Sequence, residues 1–190
     1  MNGTIQEQPE KTVMDEAKRI AKALRVGVPE IEIIDIPEND AEINIISGKI
    51  SIPKSLLQSQ RHWKAVLAHE MGHLSHRARS LGYFSFSLLI AVQPPIIAGN
   101  AIFETTNEPI PAAAAAIAAA IACSSLFLRA LAAHAERMEF LADERAIAAG
   151  CDPNDLADTL LRLHGDERPK LLKRRLDALN ILSERERIVS

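Results

Sequence analysis

Apolar residues recur along the early chain at spacings of three and four, and that rhythm changes twice before the first histidine. After a polar lead-in over residues 1–10, Val13, Ala17, Ile20, Ala21 and Leu24 fall on one stripe and predict an amphipathic helix from Thr12. Thr12 with Asp15 resembles a capping box, and Gly27 and Pro29 mark the stop. The period then shortens to two: Ile31, Ile33 and Ile36 predict a strand, with a turn over Pro37 to Asp40. Ile43 to Ile46, Ser47-Gly48 and Lys49 to Ile52 predict a hairpin of two short β-branched strands. A small sheet of this kind covers one side of a core, and one edge could accept an extended peptide.

A helix is expected from about Leu56 to Arg79. Beyond it the pattern stops being amphipathic. Residues 80–103 are 24 consecutive positions without a charge, and residues 109–128 are 20 more, dominated by alanine. As helices they would reach about 36 and 30 Å, enough to cross a bilayer core. Glu104 to Glu108 link them, so 80–128 is expected to be a transmembrane helical hairpin, despite Gln93-Pro94-Pro95 and the scarcity of large side chains in its second arm. Helix continues to Ala149 and stops at Gly150; Asp152-Pro153 starts another helix with Leu156, Leu160 and Leu163 inward. A last helix from Pro169 buries Leu172, Leu176, Leu179 and Leu182, leaving Lys170, Lys173, Arg174 and Arg175 to solvent or lipid headgroups.

Composition narrows the picture. The 190 residues fit a single domain (1–190), with the 80–128 hairpin inserted in it. A net charge of −3 and a pI near 6.1 exclude a basic field for nucleic acid. Cys123 and Cys151 suggest no disulfide framework and favour a reducing compartment, and the polar start has no apolar core for a cleavable signal. Arg77, Arg79, Arg129 and Arg137 flank the outer ends of the hairpin, whereas its turn carries only Glu104 and Glu108. Basic flanks stay cytoplasmic, which predicts a two-span protein of the cell membrane with its motif helix on the cytoplasmic side.

The motif helix holds the candidate chemistry. His62, His69, His73 and His76 lie within roughly a 60° arc. His69-Glu70-Met71-Gly72-His73 is the HExxH pattern: two imidazoles one turn apart can meet one zinc ion, and the glutamate between them can act as general base. A glutamate on a face lined by Val66 and Leu67 is costly to bury without a compensating cation. His62 lies about 10 Å from His69 along the helix, too far to share its ion, and it and His76 are expected to be satisfied by hydrogen bonds or to sit at the cleft rim. A catalytic zinc site needs a third protein ligand. His76 and Arg79 occupy the positions where one HExxH class has glycine and histidine, and Gln93-Pro94-Pro95 stands where another has glutamate. Glu104 and Glu108 sit in the hairpin turn. Glu136, Glu139, Asp143 and Glu144 remain, and spacing alone does not choose among them.

Together these features resemble the HtpX and CAAX prenyl protease type of membrane zinc metallopeptidase, a gluzincin family. The resemblance covers roughly residues 29–165. It rests on His69-Glu70-Met71-Gly72-His73, the uncharged hairpin, Glu139-Phe140-Leu141-Ala142-Asp143 as a Glu-x-x-Ala-Asp element, and Gly150-Cys151-Asp152-Pro153. It implies a mainly α fold with a small β-sheet (α+β), a zincin-like catalytic domain with an inserted hydrophobic helical hairpin. It makes Glu139 the third ligand beside His69 and His73, with one Zn2+ per chain. Asp143 becomes the acceptor for a ligand histidine's free N–H. Unlike many members, the chain has no pair of spans before the zinc helix, and Ser183-Glu184-Arg185-Glu186-Arg187-Ile188 is only loosely similar to the family's His-Pro element ending in Arg-Ile. The expected activity is hydrolysis of peptide bonds in membrane-associated or misfolded proteins, with Glu70 as base and His134, His164, Arg185 and Arg187 as unranked oxyanion partners. The expected partners are a polypeptide substrate and a lipid bilayer, and homo-oligomers are compatible with the pattern. Two rival readings are a non-catalytic helical membrane or dimerisation module with a structural metal, and a soluble minimal gluzincin whose hairpin is a lid or dimer contact.

Overall fold

A computed structural model describes residues 7–35, 41–44, 46–164 and 169–189. Among them the chain is mainly helical with one three-stranded sheet, and it divides into two compact units. One is formed by the chain up to His76 and from Met138 onward; the other is Arg77–Arg137.

In the first unit, helix α1 (Glu7–Leu24) buries the expected stripe: Val13, Ala17, Ile20 and Ala21 are almost fully enclosed. It starts five residues before Thr12, because Glu7, Gln8, Glu10 and Lys11 are good helix formers and Pro9 falls in the first turn, where a proline is tolerated. Its stop is not Gly27. Arg25 takes the left-handed conformation (φ 56°), while Val26 N–H bonds Ala21 C=O at 3.0 Å and Arg25 N–H bonds Lys22 C=O. This is a Schellman closure with an arginine where glycine is usual.

Strands β1 (Ile31–Ile34), β2 (Glu42–Asn44) and β3 (Lys49–Pro53) form a sheet in the order β1-β3-β2. β3 is central, parallel to β1 with Ile31 opposite Ile50, and antiparallel to β2 with Asn44 opposite Lys49. The predicted hairpin is present, but β2 ends at Asn44, whose side chain accepts the N–H groups of Ile46 and Ser47. Gly48, at φ 79°, completes the turn. The predicted strand end at Ile36 and turn at Pro37 to Asp40 lie outside the described residues. Ile50 and Ile52 point into the core shared with α1 and the motif helix.

That helix, α2, runs Gln60–Ser75, shorter at both ends than Leu56 to Arg79. Leu56–Gln58 form a separate 3₁₀ turn, and His76 closes α2 by bonding its N–H to His73 C=O at 3.1 Å. Trp63 and every residue from Ala65 to Gly72 are buried. Helix α5 (Pro153–His164) begins where Asp152 and Pro153 predict: the Asp152 carboxylate accepts Asn154 N–H at 2.7 Å. Helix α6 (Pro169–Val189) inserts Leu172 and Leu179 into the core.

The second unit is a helical pair. Helix α3 (Arg77–Thr106) carries Pro94 and Pro95 inside it and has no buried residue. Asn107, at φ 55°, turns the chain, and Pro109 opens helix α4 (Pro109–Ala148). Both are long and apolar enough to cross a membrane. The two helices pack closely at Gly99, where a Cβ would stand 3.2 Å from Ala116 Cβ.

Candidate metal centre

Two helices supply the site, and one glycine lets them meet. A Cβ on Gly72 would lie 2.6 Å from the carbonyl oxygen of Ala142 and 2.9 Å from its Cα, so α2 and α4 touch backbone to backbone. Around this crossing, α2 presents His69 about one turn before it and His73 just after it, and α4 presents Glu139 and Asp143 in the same way.

The ring nitrogens converge. His69 Nε2 and His73 Nε2 are 3.2 Å apart, with the rings edge to face at 87°. Glu139 brings Oε2 to 3.4 Å from His69 Nε2 and Oε1 to 3.6 Å from His73 Nε2. His69, His73 and Glu139 thus offer three ligand atoms within 4.8 Å of one another, and they are the metal-ligand cluster found among the described residues. His69 Nδ1 faces Asp143 Oδ1 at 2.9 Å, which places its proton on Nδ1 and frees Nε2 as a donor to a cation.

The donor set fits a divalent ion such as zinc: two imidazoles and one carboxylate are the ligands it takes at a site with an open position. Charge agrees. Glu70 and Asp143 are buried and Glu139 is half-buried, and a divalent cation would offset the cost of burying these carboxylates together.

The electrostatics reflect this crowding. Burial pushes the His69 pKa down, but its hydrogen bonds to Asp143 and Glu139 outweigh that and raise it to about 10. Burial and the neighbouring charge on His69 lower His73 to about 4. For Glu139 burial is overcome by the His69 hydrogen bond and the charges of His69 and Arg175, which bring it to about 2; Asp143 is lowered for the same kind of reason.

Of the four carboxylates the spacing left open, the structure brings Glu139 to the histidine pair and Asp143 to the back of His69, while Glu136 and Glu144 are exposed. Glu70 is buried between the two histidines on α2. His62 is satisfied elsewhere, with Nδ1 3.0 Å from Thr159 Oγ1. His134 lies in the hairpin unit, stacked on Tyr83 at 4.0 Å between ring centres. The side chains of His164, Arg185 and Arg187 lie outside the described residues.

One expectation is overturned. Arg175 does not face solvent: it is 5% exposed and bonds Asp143 through Nε (2.8 Å) and Nη2 (2.7 Å), and Glu139 Oε2 through Nη1 (2.8 Å). The signal was present in the register. Arg175 follows Leu172 by three and precedes Leu179 by four, which puts it on the inward stripe of α6 among its leucines. Arg174, one position earlier, is the outward residue and stacks over Phe140.

A histidine pair from one helix and a carboxylate from another, with the intervening glutamate buried beside them, form a candidate metal site. The family model of peptidase family M48 matches residues 7–184, so the chain belongs to that family. No curated protein and no solved structure matches the chain.

Proposed function

We propose that the chain is a zinc-dependent endopeptidase whose ion is held by His69, His73 and Glu139, with Glu70 as the general base. The observation that carries this reading is the convergence of those three side chains, with ligand atoms within 4.8 Å of one another, beside the buried Glu70. Bound there, zinc would supply Lewis-acid polarisation of a peptide carbonyl and acidify a water in its open position. Glu70 takes the proton of the attacking water on its carboxylate and hands it to the leaving amine. Asp143 accepts His69 Nδ1–H and so leaves Nε2 turned toward His73 and Glu139, where it would serve as a ligand.

The hairpin is read as two membrane spans, supported by two helices long and apolar enough to cross a bilayer whose apolar stretches are almost wholly unburied. The basic flanks at Arg77, Arg79, Arg129 and Arg137 favour a cytoplasmic catalytic unit, so the substrates are polypeptides at or near the membrane.

Glu70→Gln tests the catalytic part. It should keep one zinc per chain and lower peptide cleavage by about 10²–10⁴-fold, the range of general-base contributions. Cleavage at the wild-type rate by the purified, zinc-loaded variant would sink the assignment and leave the non-catalytic metal module as the reading.

A further inference from the structure

We infer that Arg175 is a positioning residue of the metal centre, fixing the orientation of both Glu139 and Asp143 and making α6 part of the site. The inference rests on the reading of His69, His73 and Glu139 as zinc ligands.

The guanidinium spends all three of its nitrogens on the two carboxylates. Nε and Nη2 form a two-pronged bond to Asp143 Oδ2 and Oδ1, and Nη1 bonds Glu139 Oε2. Asp143 Oδ1 also faces His69 Nδ1 at 2.9 Å. One side chain therefore restrains a ligand directly, through Glu139, and a second ligand at one remove, through Asp143 and His69. Glu139 and Asp143 are one turn apart on α4, where like charges repel. Arg175 is nearly enclosed, and its planar fork holds both carboxylates in one geometry.

Two effects oppose each other. The positive charge of Arg175 repels a divalent ion, which favours tighter binding when the charge is removed. Its hydrogen bonds hold a ligand in place, which favours weaker binding when they are lost. The geometry decides for the second: Glu139 is 29% exposed at its side chain and Arg175 makes its closest described contact, whereas its distances to the two histidines are 3.4 and 3.6 Å. Groups that orient metal ligands from behind are worth about 10–100-fold in affinity or activity.

The test is zinc affinity of the full chain, measured by competition with a chromogenic chelator, alongside the visible spectrum of the cobalt-substituted protein. Arg175→Gln should bind zinc about 10–100-fold more weakly and alter the cobalt spectrum. Arg175→Lys keeps the charge but gathers its donors on one nitrogen, which cannot reproduce the planar fork spanning both carboxylates, so it should fall between; it also carries the test if the glutamine variant fails to fold. Leu179→Ala loosens the same helix one turn away without touching the site, and should leave zinc affinity near wild type. Zinc affinity in both Arg175 variants equal to or tighter than wild type overturns the inference, as does an equal loss in Leu179→Ala. Glu139→Ala keeps the two failures apart: undiminished zinc binding there sinks the ligand assignment itself, whatever Arg175 does.

Discussion

Both units are built mainly of helix, yet they treat apolar surface in opposite ways. In the unit that carries the metal centre, Ala17, Ile20, Leu67, Met71 and Leu156 are almost fully enclosed, and so are Asp143 and Arg175. In the 77–137 unit, Ala112 is the buried apolar residue among those described, and Phe86, Leu89, Ile90, Ile97, Ile117 and Ile121 are more than half exposed. The first unit excludes water with its own side chains, so its charged groups are forced on one another and the histidine and carboxylate pKa values separate. The second leaves that exclusion to its surroundings, and carries no charge along 80–103 or 109–128 that a nonpolar medium would penalise.

The strongest way to break this comparison is a charge in the hairpin. Ile90→Lys, near the middle of the first uncharged stretch and 54% exposed, should cost about 3 kcal/mol of membrane insertion while costing little in water. Reduced recovery in the membrane fraction is the expected result; recovery equal to wild type would mean the hairpin faces water or another protein chain. The two glycines sharpen the contrast. Gly72→Ala drives a methyl into the Ala142 backbone and should destabilise by about 1–3 kcal/mol or more and release zinc, because the ligands sit on the two helices being pushed apart. Gly99→Ala meets only the side chain of Ala116 and the Ala112 carbonyl at 3.5 Å, and should leave zinc binding unchanged. Denaturant midpoints and zinc stoichiometry check both.

The last effect is in pH. His69 is raised from 6.5 to about 10, so its stabilising contribution is complete below 6.5 and drains away as pH rises toward 10. His73 is lowered from 6.5 to about 4, so its contribution is present above 6.5 and is lost as pH falls toward 4; Glu139, lowered from 4.5 to about 2, adds a loss between those values. Chelator-treated protein should therefore resist denaturant best near pH 6.5. Saturating zinc should flatten the alkaline limb, because an ion replaces the proton on His69 Nε2. An alkaline limb indifferent to zinc would count against His69 as a ligand.

Much of this was legible from periodicity. The α1 stripe, the hairpin of β2 and β3, the two uncharged helices and the Asp152-Pro153 start all appear in the sequence as spacing or turn chemistry. Helix ends were less so: a left-handed Arg25 and the closure of α2 at His76 depend on backbone conformation that side-chain pattern does not encode. At the centre, the sequence displays His69, Glu70 and His73 as a local unit, but Glu139 lies 66 residues past His73, and only the crossing at Gly72 and Ala142 selects it from its neighbours by geometry. Arg175 was misplaced because three basic residues in a row look like a solvated face; the leucines three before it and four after it were the stronger signal.

The dispersal of the centre along the chain also sets its timing during synthesis. When α2 leaves the ribosome it carries two imidazoles and a base, but no third ligand. Glu139 and Asp143 follow after the whole hairpin has been made, and Arg175 later still. On the proposed reading, a nascent chain with its apolar hairpin already exposed has no complete hydrolytic centre. The protein would acquire the ability to cut only once its own hydrophobic segments have been delivered.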